Sequence, residues 1–245
     1  MAIAILLGLA AGSFLNVCIW RLPRSQSIIW PGSHCPECGH ALRASDLIPL
    51  FSFILNRARC RYCLQPISWR YPIIEALTAS GIACLYIKTG WGWQLVQDTI
   101  LFCGLVIASA IDIEWRIIPN RLTAFMTAAG LVMILLASPR LILNSLGGAI
   151  GAALVLLLPS LVYPGGMGGG DIKLAAVIGL YLGWPMSLPA VFLGILTGAL
   201  FGLALMLWKQ QGLKTALPLG PFLSLGAILT VLWGQQILNW YAGFY

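Results

Sequence analysis

The chain has 245 residues, 60% of them hydrophobic and 9% charged, with a mean hydropathy of +0.91. Soluble domains carry about 25% charged residues, so this composition excludes an ordinary soluble enzyme and places the chain in a membrane. The formal net charge of +7 would suit a nucleic-acid binder, and only the distribution of the basic residues can decide whether it means that.

A span needs about 20 mainly apolar residues, and eight segments qualify in chain order: 2–20, 72–88, 94–111, 120–137, 143–163, 172–184, 188–208 and 221–242. The predicted fold is all-α, a polytopic membrane protein of about eight transmembrane helices with one small soluble module. The opening MAIAILLGLAAG could be read as a signal peptide. It has no basic leader region and runs on to Trp20 without a persuasive cleavage site, so it is taken as a retained first span. Trp20, Trp91, Trp93, Trp184, Trp208 and Trp240 fall near predicted span ends, where aromatic rings anchor helices at the interface.

Between the first two spans lies the soluble segment, which divides the chain into a first helix (1–20), a loop domain (21–71) and a membrane-embedded remainder (72–245). The loop carries CPEC at 35–38 and CRYC at 60–63, two knuckles separated by 21 residues. Each such knuckle presents two thiolates to one tetrahedral ion, so Cys35, Cys38, Cys60 and Cys63 form a candidate zinc site. In so small a segment the metal would supply much of the folding energy. Paired disulfides or a redox C-x-x-C compete with this reading, but the loop falls on the reducing side of the membrane and lacks a thioredoxin-like pattern. Cys18, Cys84 and Cys103 lie within spans as small apolar fillers. The arginines of RARCR at 57–61 could touch RNA, but a loop tethered at both ends sits against anionic headgroups, and lipid contact is preferred.

Of seven acids, Glu75, Asp98, Asp112 and Asp171 lie within or at the edge of spans, where ionisable groups are costly and become functional candidates. Asp112 closes span three in ASAIDIEWRIIPN, and Asp171 opens span six after the glycine-rich PGGMGGGDIK at 164–173. The chain crosses the membrane twice between them, so both must return to one face. By the same parity the cysteine loop shares that face. Of the 14 basic residues only Lys88 and Arg140 fall on the opposite side, and this bias makes the shared face cytoplasmic and both termini external. Topology therefore accounts for the basic excess without nucleic acid.

Two carboxyl groups held close together cannot both ionise cheaply, so one keeps its proton while the other serves as a base. That is the requirement of aspartic-protease chemistry, in which the base takes a proton from water and the acid polarises the peptide carbonyl. The glycines would form a ledge that lets backbone approach a substrate. Asp171 could instead be the N-cap of span six, and Asp112 a polar residue ending a helix at the interface. Glu114 is read as solvated, Asn16 and Glu75 as structural hydrogen-bonding groups at least as readily as catalytic ones, and Asp98 has no role near the pair. Gly194, Gly198 and Gly202 form a small-residue stripe for helix packing.

GSFLNVCIWRLP at 12–23, the two cysteine knuckles, RYPIIEALTA at 70–79, IDIEWRIIPN, the G-x-G-D at 168–171 and PLGPFLSLGA at 218–227 together resemble the type IV prepilin peptidases. The likeness implies an aspartic endopeptidase of the bacterial inner membrane that removes the leader of type IV prepilins or pseudopilins. It also implies N-methylation of the new N-terminus with S-adenosyl-L-methionine. Asp112 and Asp171 become the catalytic pair, Gly168 and Gly170 the glycines of the second motif, and the four cysteines the family's cytoplasmic knuckles. A prepilin presents a basic leader before an apolar helix, which puts its scissile bond at the cytoplasmic membrane edge. Two rivals from other classes are a proton- or cation-coupled transporter using the same acids, with the cysteine loop as a zinc sensor, and a thiol redox protein.

Overall fold

The computed structural model describes residues 1–162, 167–209 and 217–243; Gly165 and Gly166 of the glycine run, and Lys214, lie outside the described residues. Those described are mainly helical, with no sheet among them, only two isolated bridges in the cysteine loop. The helices are α1 (Ala2–Arg21), α2 (Phe51–Leu55), α3 (Arg70–Thr89), α4 (Trp93–Trp115), α5 (Asn120–Ala137), α6 (Ile142–Val162), α7 (Gly169–Leu182), α8 (Ser187–Lys209) and α9 (Gly220–Ala242).

Each long helix matches a predicted span, and the punctuation between them is chemical. Gly90 and Gly183 end α3 and α7 at φ of 68° and 69°, a left-handed conformation that L side chains rarely adopt. Pro119 precedes α5, Ser138-Pro139 separates α5 from α6, and Pro221 sits in the first turn of α9, where its missing N–H is not needed. Among the described residues six helices, α1, α4, α5, α6, α8 and α9, are long and apolar enough to cross a membrane. The other two predicted spans differ for physical reasons. The 14 residues of α7 are short, and α3, though 20 residues long, carries Arg70, Glu75 and Lys88. Large side chains such as Leu143, Leu161, Phe192 and Leu207 stay exposed on the helix surfaces, as lipid-facing residues do.

The chain divides into two compact units, residues 1–95 and 96–245. In the first, α1 packs along α3 through Gly8 and Gly12, where an added Cβ would lie 2.6 Å from the Ala79 Cα and 2.7 Å from the Glu75 Cα. Asn16 donates to the carbonyl of Tyr71 at 3.1 Å, and Glu75 accepts the Leu50 N–H at 2.8 Å. Asn16 thus ties α1 to α3, and Glu75 ties the loop to α3. In the second unit α6 packs on α7, α8 on α9, and α5 on α7. The predicted stripe on α8 is a packing seam. Gly194 meets the backbone of Leu223, Gly198 the ring of Phe222 and Gly202 the side chain of Leu217. The Tyr181 hydroxyl donates to the Met126 carbonyl at 3.0 Å, locking α7 to α5.

Candidate functional site

Asp112 lies in the last turn of α4, which runs on to Trp115 rather than stopping at the acid, and its side chain is buried. The chain then turns through Arg116 to Pro119 and enters α5. Asp171 is the third residue of α7 and half-buried. The N-cap of that helix is Gly168, so the alternative reading of Asp171 as the N-cap does not hold.

Two contacts and one charge interaction bring the two acids to the same end of this unit. A Cβ on Gly170 would lie 3.1 Å from the Ile118 Cβ, so the turn after Asp112 rests on the first turn of α7. Lys173 of α7 donates to the Asn120 side-chain oxygen at 2.9 Å, joining the starts of α5 and α7. The two carboxyl groups are close enough for the charge of Asp112 to act on Asp171. A glycine stands beside each acid, with the tighter fit at Gly220. A Cβ on Gly168 would lie 3.0 Å from Asp171 Oδ2, and one on Gly220 would lie 2.8 Å from Asp112 Oδ2.

Gly220 was not among the residues singled out by motif. Its backbone N–H donates to Asp112 Oδ2 at 2.9 Å. Its only sequence signal is its place in PLGPFLSLGA, between two prolines at the predicted start of a span. Asp98 sits near the other end of α4, away from the pair, as expected.

The four cysteines converge in the first unit. Their sulfur atoms all lie within 4.8 Å of one another, with Cys35 and Cys63 3.9 Å apart. Zinc–sulfur bonds of about 2.3 Å in a tetrahedron place sulfurs about 3.8 Å apart, so the donor set fits that ion. The two knuckles are built alike. Gly39 donates to the Cys35 carbonyl and Leu64 to that of Cys60, while Cys35 donates to His40 and Cys60 to Gln65. Each knuckle is followed by a left-handed residue, Gly39 at φ 69° and Leu64 at φ 62°. Backbone N–H groups of Cys63 and Tyr62 bring the Cys60 thiol down to about 7, toward the thiolate a metal needs. Asp46 braces the module by accepting from the Arg43 N–H and the Tyr62 hydroxyl, both at 3.0 Å. Those bonds, the backbone one foremost, hold its carboxyl below the usual range.

Residues 6–89 match the bacterial peptidase A24 N-terminal domain, and residues 99–203 match the type IV leader peptidase family. A protein of Bacillus subtilis (strain 168) is 37% identical, over 98% of this chain and 97% of its own. The chain belongs to the type IV leader peptidase family. Other members of this leader peptidase family are an Aeromonas hydrophila protein, 34% identical over 98% of this chain and 93% of its own, and one from Pseudomonas aeruginosa, 32% identical over 98% and 92%. All three relatives bear the name prepilin leader peptidase/N-methyltransferase, and the transport reading finds no support among them. No solved structure matches the chain.

Proposed function

We propose that this leader peptidase family member is an aspartic endopeptidase of the bacterial inner membrane that cleaves the leader from type IV prepilins or pseudopilins, with Asp112 and Asp171 as its catalytic pair. The observation that carries the assignment is the meeting of the two acids at one end of the second unit, each beside a glycine that leaves its carboxyl group room. Asp112 is buried and Asp171 half-buried, so water reaches the pair from the Asp171 side. The ionised carboxylate takes a proton from water as its oxygen attacks the peptide carbonyl. The protonated carboxyl donates to the carbonyl oxygen, and a proton then passes to the departing amine nitrogen as the C–N bond breaks.

The same reading covers the rest of the chain. Residues 21–71 form a cytoplasmic zinc module between a first span at 1–20 and the peptidase part at 72–245, with the catalytic acids at the cytoplasmic face and both termini outside. Cys35, Cys38, Cys60 and Cys63 hold Zn2+, which supplies cross-linking to a segment with little core of its own. The arginines around the module face membrane lipid, and nucleic acid is not a partner. The relatives' names extend the proposal to N-methylation of the new N-terminus with S-adenosyl-L-methionine as donor. No cluster among the described residues singles out a place for that donor.

The test is to mix purified protein in detergent, without any ion gradient, with a prepilin and follow loss of the leader by mass. Leader loss is expected. Absence of cleavage under conditions where the protein is folded overturns the proposal. A further gain of one methyl group that depends on S-adenosyl-L-methionine checks the second activity separately.

A further inference from the structure

The first turn of α9 meets the candidate site in a way its own helix geometry does not require. The leading N–H groups of any helix have no partner within it, and the Leu219 N-cap offers no side-chain acceptor. The buried Gly220 N–H instead donates across 108 residues to Asp112 Oδ2 at 2.9 Å. One turn later the Ser224 hydroxyl, which donates to the Gly220 carbonyl at 2.8 Å, also lies 3.4 Å from the Leu105 carbonyl of α4. The start of α9 is therefore held against α4 at two levels, with Asp112 at the outer one.

Gly220 is not in the left-handed region, so its backbone would accept another residue. What excludes a side chain is Asp112. An added Cβ would lie 2.8 Å from Oδ2, 3.2 Å from the Asp112 Cβ and 3.3 Å from its Cγ. Glycine at this position is explained by the acid it faces. The groups around that carboxyl are the Gly220 N–H from α9, Arg116 from the turn that follows α4, and Asp171 from α7.

We propose that Gly220 is a positioning residue for the peptidase reaction: its N–H anchors Asp112 Oδ2, and its missing side chain gives the carboxyl room, leaving Oδ1 to exchange a proton with the attacking water. This rests on the reading of Asp112 as one of the catalytic pair. An N–H given to a carboxylate is a strong, directional bond, and a catalytic group displaced by a fraction of an ångström loses much of its effect.

The test is Gly220→Ala in the full chain, assayed on a prepilin. A fall in kcat of about 10- to 100-fold is expected, from loss of a hydrogen bond to a charged group, with KM within about twofold. The acid limb of the pH–rate profile moves to higher pH, because the donor that favours the ionised carboxyl is weakened. The melting temperature falls by no more than about 10 degrees, because the added Cβ crowds Asp112 as a small overpacking does while alanine suits a helical first turn at least as well as glycine. A kcat within about twofold of the unaltered protein overturns the proposal. So does a loss of rate that comes with a large drop in melting temperature and an unmoved pH profile, the result for a packing glycine.

A second measurement does not depend on that variant folding. In protein labelled with 15N-glycine, the Gly220 amide resonance is expected to shift in Asp112→Asn, and an unchanged resonance overturns the contact. Normal cleavage by Asp112→Asn, with the amide shift still present, refutes the catalytic reading of Asp112 instead.

Discussion

Replacing Asp112 by asparagine separates chemistry from folding. The carboxyl is buried and accepts the Gly220 N–H at 2.9 Å. An asparagine carbonyl occupies the same place and accepts the same bond, now between neutral partners. The change from a charged to a neutral hydrogen bond costs about 1 kcal/mol, and part of it is offset because a charge no longer has to be buried. Folding should thus be nearly untouched. Asparagine cannot take a proton from water or return one, and loss of such a group slows reactions about 100- to 10,000-fold, or about 3 to 5 kcal/mol in activation. The mismatch between the two energies is the expected signature. First-order rates of leader loss, followed by mass at saturating enzyme, give one energy, and thermal unfolding in the same detergent gives the other. Asp171→Asn should behave alike. A folded Asp112→Asn that cleaves within about tenfold of the unaltered rate refutes the catalytic reasoning. A variant that unfolds shows Asp112 to be a structural buried polar group.

Other outcomes follow from the same contacts. One zinc per chain is expected, released more readily as pH falls. The metal is held by thiolates for which protons compete, so its release rises as pH falls, and a zinc-binding dye read from pH 8 to 5 follows this. Chelation should make the 21–71 loop a target for added protease while leaving α5 to α9 protected. Gly12→Ala forces a Cβ within 2.7 Å of the Glu75 Cα and should cost about 1 to 3 kcal/mol by overpacking. Gly147→Ala, which meets nothing nearer than 4.0 Å, should not destabilise, and thermal unfolding compares the two. Tyr181→Phe removes the hydroxyl that donates to the Met126 carbonyl and should lower stability by about 1 kcal/mol in the same assay, without altering KM for a prepilin.

Much of this molecule could be read along the chain, because membrane insertion and metal binding are written in local pattern. Apolar runs of span length, broken by glycine and proline, placed every long helix to within a few residues, since a backbone in lipid must satisfy its hydrogen bonds within the helix. The spacing of Cys35, Cys38, Cys60 and Cys63 announced one four-sulfur cluster, because ligand geometry permits few spacings. Parity alone brought Asp112 and Asp171 to one side. Local pattern was silent on distance and orientation. It could not tell that α4 continues past Asp112, that Gly168 rather than Asp171 caps α7, or that the stripe on α8 faces α9.

Above all it could not pair Gly220 with Asp112, which stand 108 positions apart and meet only because α9 returns to the end of α4. A glycine's value there lies in the absence of atoms, and an absence has meaning only against a neighbour that folding supplies. Composition, period and spacing thus determined which segments are helical, which cysteines cluster and which acids share an end of the bundle. The tertiary structure decided which backbone groups those acids meet, because such contacts depend on how the helices pack and leave no trace in local pattern.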